Sequence, residues 1–155
     1  MTEQEQRAKL VEIALTWVGT PYHHHARVKG HGVDCATLLV CAAQEAGLIE
    51  EMVLPEYAPQ WHLHRSAQMY LATILKICRE VPPPPLPGDV AIWQFGRCFS
   101  HGAIVIEWPR IVHACIGDAV RIADVSKCAW LCTVGERGPG YGKQRPMKIV
   151  SLWGR

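Results

Sequence analysis

Seven cysteines, at positions 35, 41, 78, 98, 115, 128 and 132, are spread through this chain, and one stands apart. Cys35 follows Gly32-Val33-Asp34 and opens an apolar run that reads as a helix, which puts its sulfur at a helix N-terminus. A thiol attacks as the thiolate, and the partial positive charge at a helix N-terminus favours that form. Two histidines far downstream, His101 and His113, fall in segments that read as strands. These three side chains suffice for nucleophilic acyl transfer. The thiolate attacks a carbonyl, one imidazole carries the proton to the leaving amine, and a third polar group fixes the tautomer of that imidazole. Backbone N–H groups at the helix start, that of Cys35 among them, point where an oxyanion would form. Tyr22, on a loop able to fold back over the helix start, is a candidate further donor. Asp34, which can cap the helix, is placed with Tyr22 on the substrate and oxyanion side of the site.

The two histidines are spaced to meet. If the chain reverses around Glu107, with Trp108 and Pro109 ending the pairing, His101 and His113 face one another on adjacent antiparallel strands. Directly opposed Cβ atoms lie roughly 5 Å apart, so one ring could orient the other. A shift of one residue would undo this, because it turns a side chain to the opposite face. The remaining six cysteines sit in apolar surroundings and read as small core residues. The run His23-His24-His25, with His31 nearby, lacks helical histidine spacing and the paired cysteines of a zinc ribbon. It reads as a solvated or substrate-facing loop, and neither a metal nor a cofactor is expected.

The elements that must hold these residues follow from periodicity. Leu10, Val11, Ile13, Ala14, Trp17 and Val18 recur at helical spacing and predict a first helix over 5–18, stopped by Gly19-Thr20-Pro21. Cys35 to Ala46 is almost wholly apolar and ends at Gly47, which predicts a buried second helix capped by Asp34. Ser66 to Arg79 carries a third helical pattern after a loop over 51–65. Four consecutive prolines, 82–85, cannot continue a helix and mark a stiff crossover. Strands are predicted beyond it at 90–93, 103–106, 111–114, 120–122 and 149–152, with 135–142 a glycine-rich surface turn. Helices followed by consecutive strands give an α+β class, the N-terminal helices packed on a central antiparallel sheet.

Composition bounds the rest. With 155 residues, 49% hydrophobic and 19% charged, the chain is expected to be one domain over 1–155 with a core of its own. A net charge of +2, with no Lys/Arg cluster, excludes nucleic acid as the expected partner. An odd number of cysteines in apolar segments suits free thiols made in a reducing compartment. The start Met1-Thr2-Glu3-Gln4-Glu5-Gln6 is acidic and polar, and no stretch approaches membrane-spanning length. Synthesis in a bacterial cytoplasm without a signal peptide, and no membrane insertion, are the expectations.

Four blocks together resemble a known family. They are Trp17-Val18-Gly19-Thr20-Pro21-Tyr22 leading to Gly32-Val33-Asp34-Cys35, then Leu86-Pro87-Gly88-Asp89-Val90, then Ser100-His101-Gly102-Ala103-Ile104-Val105, then Ile111-Val112-His113-Ala114. In this order the chain resembles the NlpC family of papain-like cell-wall cysteine peptidases, especially the short members encoded with phage tails and gene transfer agents. The resemblance implies a papain-like α+β fold with Cys35 as nucleophile, His101 as base, His113 as the orienting third residue and Tyr22 lining the site. It also implies peptidoglycan stem peptides as substrate, phage tail-tip proteins as partners, and a tail-associated location that accounts for delivery. Many members have Trp-Gly-Gly after the tyrosine and Asp-Cys-Ser-Gly-Leu around the nucleophile. Here these are His23-His24-His25-Ala26 and Asp34-Cys35-Ala36-Thr37-Leu38, an altered substrate-facing loop. Two other readings stand beside this one: an amidase or acyltransferase of the same fold, and a non-catalytic tail-tip assembly protein.

Overall fold

The computed structural model describes residues 1–56, 69–134 and 143–154. Helix α1 spans Glu3–Thr16. It begins before the predicted residue 5 because Thr2 and Glu5 form a reciprocal capping box, satisfying N–H groups that the first turn cannot. It ends before the predicted residue 18 because the chain turns through Trp17 into Gly19, whose φ of +90° a side chain would resist. A short antiparallel pair follows, β1 (Arg27–Val28) and β2 (Gly32–Val33). Helix α2, Cys35–Glu45, has Asp34 as its N-cap, as predicted. Of the third predicted helix, residues 66–68 lie outside the described residues, and α3 covers Met69–Ile74. The helix does not reach Arg79, because Arg79–Glu80 forms strand β3 and gives its backbone groups to a sheet edge.

The prolines lead, as expected, into strands: β4 (Val90–Phe95), β5 (Cys98–Glu107), β6 (Arg110–Ala114) and β7 (Val120–Asp124). A 3₁₀ turn at Val125–Lys127, the short helix α4 (Ala129–Cys132) and the pair β8 (Thr133–Val134) and β9 (Lys143–Gln144) precede the last strand, β10 (Met147–Ser151). The predicted turn at 135–142 lies outside the described residues. Among the described residues, the main sheet has six strands in the order β3-β10-β4-β5-β6-β7, with antiparallel neighbours throughout. The fold is the predicted α+β arrangement of helices on an antiparallel sheet.

Strand alternation divides the core in two. Val90, Ile92, Ile104, Val112 and Val150 pack with Leu10, Leu38, Leu39, Tyr70 and Ile74 from the helices. Ala91, Trp93, Ala103, Val105 and Ile111 face the other way, under Val125 and Leu131. The block Leu86-Pro87-Gly88-Asp89 serves this architecture rather than the site. Arg7 of α1 reaches the buried Asp89 carboxylate at 2.8 Å and the Pro87 carbonyl at 2.8 Å, fastening the first helix to the entry of β4. Among the described residues, Cys35, Cys41, Cys78, Cys98, Cys115 and Cys128 are free thiols, and no helix is long and apolar enough to cross a membrane.

Candidate active site

The N-cap that starts α2 also fixes its first residue. One Asp34 carboxylate oxygen accepts from the N–H of Ala36 at 3.0 Å and of Thr37 at 2.9 Å. The Thr37 hydroxyl donates to that oxygen at 3.0 Å and accepts the Asp34 N–H at 2.8 Å. Thr37 therefore turns its side chain into the cap, not into the site. The second Asp34 oxygen accepts the His25 N–H at 2.7 Å, tying the histidine loop to the helix start, where His25 sits at φ +62°. Asp34 is thus buried with both oxygens engaged, a structural cap.

Cys35 emerges from this cap against β5. Its Sγ lies 3.6 Å from the carbonyl oxygen of Ser100. That carbonyl points toward the thiol because β5 carries one residue more than β4 at this point. Trp93 pairs with His101 and Gln94 with Phe99, so Ser100 is a bulge without a ladder partner on β4. Tyr70 of α3 donates its hydroxyl to the Cys35 carbonyl at 3.3 Å from the other side. It can approach because residue 102 is glycine: a Cβ there would run into the Tyr70 hydroxyl. Tyr70 and Gly102 are positioning residues that the sequence did not single out, and only their tertiary contact identifies them.

His101 and His113 meet as the sequence suggested, by a different register. The chain reverses at Trp108-Pro109, Glu107 pairing with Arg110, not around Glu107. Ile104 pairs with Val112, and a register shift between Val105 and Glu107 adds a residue. Extending that ladder one step puts His113 beside Ala103, so His101 is its diagonal neighbour, still within reach of a ring. The imidazoles are hydrogen-bonded, His101 Nε2 lying 3.0 Å from His113 Nδ1, with the rings edge to face at 79°. Trp130 of α4 covers both, stacked on His113 at 22° and 5.3 Å from His101 between ring centroids.

Cys35 and His101 line one open pocket of about 500 Å³, together with Tyr22, Phe95, Ser100, Cys115, Ile116, Asp118 and Trp130. Tyr22 is held there by its N–H on the Asp118 carbonyl at 2.9 Å. Burial, with the Cys35 and Asp34 charges adding to it, raises its phenol above the usual range and keeps it a protonated donor. Cys115, a core residue by its apolar sequence surroundings, instead lines this pocket with its Sγ 3.2 Å from His113 Nε2. The signal that could have found it is alternation: residues 113 and 115 lie two apart on one strand path and project to the same side. Of the histidine run, His25 Nε2 contacts the Pro55 carbonyl at 3.2 Å, and among the described residues no three metal-ligating side chains cluster.

The electrostatics depart from the sequence expectation of an ionised thiol. Burial raises the Cys35 thiol far above its usual range, and the Asp34 carboxylate raises it further. The N–H groups of Gly102, Cys35 and Ala36 pull the other way and do not prevail. The helix terminus is weakened as an anion site because its own cap is a carboxylate. Burial also pushes His101 down to about 3, with the His113 and Arg145 charges adding to it, and pushes His113 down to about 4. At rest the constellation is a neutral thiol beside neutral imidazoles.

No family model matches the chain, and no curated protein matches it. Solved structures do. The NlpC/p60 domain of the peptidoglycan hydrolase SagA is similar with a TM-score of 0.54 at 18% identity, over 77% of this chain and 89% of that one. NlpC1 from Trichomonas vaginalis gives 0.64 at 14% identity over 97% of this chain, which spans 45% of that protein. RipD from Mycobacterium tuberculosis, described as a non-catalytic NlpC/p60 domain protein adapted to peptidoglycan binding, gives 0.55 at 15% identity, over 96% of this chain and 98% of that one. The fold shared with all three is that of NlpC/p60 domains.

Proposed function

We propose that this chain, with an NlpC/p60 fold, is a cysteine peptidase that hydrolyses amide bonds in peptidoglycan stem peptides, with Cys35 as nucleophile, His101 as base and His113 as the residue that orients it. One observation carries the reading: a thiol at a capped helix start and an imidazole, itself hydrogen-bonded to a second imidazole, line the same open pocket. With Nε2 of His101 given to His113, Nδ1 is the ring nitrogen left to take the thiol proton. The thiolate attacks the carbonyl carbon, and the N–H of Cys35, with the Tyr22 hydroxyl, stabilises the oxyanion. His101 then passes its proton to the leaving amine. A water, deprotonated by His101, hydrolyses the thioester and returns the thiol.

Replacing Cys35 by Ala or Ser is expected to abolish cleavage of purified muropeptides while leaving the circular dichroism unchanged; unaltered turnover would refute the assignment. Mass spectrometry of the products identifies the bond cut and separates a peptidase from an amidase or acyltransferase of the same fold. A peptidoglycan-binding module is the second reading, favoured by the neutral, 5% exposed Cys35 and by the non-catalytic NlpC/p60 neighbour. Within the first reading, the motif blocks around Cys35, His101 and His113 support a phage or phage-like tail as the vehicle. That context is tested by looking for the chain among purified tail proteins.

A further inference from the structure

Resting on the roles given to Cys35, His101 and His113, we propose that Arg145 is a positioning residue of the same site, a clamp that holds the Trp130 indole over the imidazole pair and keeps water from it. The guanidinium bridges two elements that carry the pocket wall. Its Nε donates to the Trp130 carbonyl of α4 at 3.1 Å, and its Nη1 donates to the Gln94 carbonyl of β4 at 2.8 Å. Its central carbon lies over the Phe95 ring, 3.8 Å from the centroid. Phe95 and Trp130 both line the pocket of Cys35 and His101, and their ring centroids are 5.7 Å apart. Helix α4 is a single turn, too short to hold its own place. Buried Leu131 anchors it in the core, and one anchor leaves a single turn free to rock. Arg145 supplies the second point of attachment.

What the clamp holds decides whether the base works. Trp130 is 45% exposed, whereas His101 and His113 beneath it are 6% and 2% exposed, so the indole is the layer that meets solvent on this side. Around the two rings stand Cys35 of α2, Tyr22 of the preceding loop, Cys115 and Asp118 of the turn after β6, Arg121 opposite His113 on β7, and Arg145. Burial keeps Cys35, Tyr22 and Cys115 protonated at neutral pH, and Asp118 is paired with Arg121. Burial is the leading cause of neutrality at both imidazoles. At His101 the charges of His113 and then Arg145 add to it, and at His113, among the described residues, burial acts alone. A charged His113 would disable the base. Both its nitrogens would donate, His101 would turn a bare Nε2 to it across the 3.0 Å contact, and the His101 proton would lie on Nδ1, the nitrogen that the thiol needs.

The test is an imidazole titration of the ¹⁵N-labelled full chain with no substrate present. In the wild type both rings are expected to be largely uncharged at about pH 5, and the indole to give nuclear Overhauser contacts to His113. Arg145→Met keeps an apolar stem and loses both carbonyl contacts. It should weaken the indole contacts and raise the charged fraction of His113 at that pH about fivefold, and the acid limb of kcat/KM for muropeptide cleavage should move up with it. Arg145→Lys keeps the charge but donates from one point, so it should act on His113 as methionine does and on His101 less. Trp130→Ala leaves Arg145 in place and removes what it holds; it should match Arg145→Met at His113, and it gives the same test if that variant does not fold. A lysine variant with both rings at their wild-type values would show that Arg145 acts through charge alone and would overturn the clamp. So would a His113 unmoved by loss of the arginine or of the indole. If the rings shift as expected in a protein that cleaves no muropeptide, the peptidase reading fails and the clamp stands.

Discussion

His101 and His113 share a hydrogen bond of 3.0 Å although they are diagonal neighbours in the sheet and not partners in its ladder. The bond exists because both rings lean toward each other beneath Trp130, the one stacked on it and the other tilted. What His101 needs from position 113 is an acceptor at a fixed point. Asparagine can offer its carbonyl oxygen there and alanine cannot. His113→Ala is expected to lower kcat for muropeptide cleavage by about a hundredfold, the cost of a misdirected catalytic group, whereas His113→Asn should retain most of the activity. Equal losses in the two variants would show that the ring matters for packing alone.

The same burial makes both imidazoles sensors of acid. Each titrates near its ordinary 6.5 in the unfolded chain, but His101 is pushed down to about 3 and His113 to about 4 when folded. Between those values the unfolded state binds more protons, so stability rises with pH there. The stability these neutral rings contribute is complete above 6.5 and drains away as pH falls toward 4 and then 3. Urea midpoints measured from neutral pH downward should therefore fall, and His113→Asn should lose roughly 1–3 kcal/mol less than the wild type over that range. Parallel curves for the two proteins would contradict the burial of a neutral His113.

Gly102 and Tyr70 show how packing on the helix-covered face of β5 positions Cys35. The Tyr70 ring fills the space in which a residue-102 side chain would stand, and its hydroxyl holds the Cys35 carbonyl. Gly102→Ala should cost about 1–3 kcal/mol in chemical denaturation, as overpacked cores do, and should displace the start of α2 enough to slow cleavage. Tyr70→Phe removes the atom nearest the clash along with one hydrogen bond, worth about 1 kcal/mol. Because the two changes act on one contact, the double variant is expected to be more stable than the sum of the single losses allows. Simple additivity would mean that the glycine is tolerant and the clash relieved elsewhere.

These contacts also mark how far the sequence could be read. Asp34 and Cys35 were legible because capping and apolar periodicity are local: the cap, the thiol and the helix all lie within one turn. His101 and His113 were legible as residues of neighbouring strands, since β5 and β6 are close in sequence and strongly apolar. Their register was not, because the turn at Trp108-Pro109 and the added residue between Val105 and Glu107 are settled by how the strands sit on the core. The Ser100 bulge and the hydroxyl of Tyr70 depend on three-dimensional neighbours that no spacing encodes, whereas Cys115 was within reach of strand alternation from His113. The expectation of a thiolate failed for an electrostatic reason. Burial of Cys35 and the charge of its own capping residue, Asp34, outweigh the helix terminus.

That neutral thiol makes a sharp forecast about reactivity. Burial holds Cys35 protonated and His101 unprotonated for one reason, since an isolated charge of either sign is poorly solvated where they lie. If His101 takes the thiol proton as proposed, the transfer creates two opposite charges that stabilise each other, and the pair ionises as a unit where neither group does so alone. Alkylation of Cys35 by iodoacetamide at neutral pH, followed on its own peptide by mass spectrometry, should therefore depend on the histidine. His101→Ala is expected to slow it by about a hundredfold, the usual contribution of a positioned base. Cys115, pushed up to about 11 mainly by burial and then by Asp118, should react slowly in both proteins and serves as the internal control. If Cys35 reacts in the wild type no faster than in His101→Ala, the thiol is not activated and the peptidase reading falls.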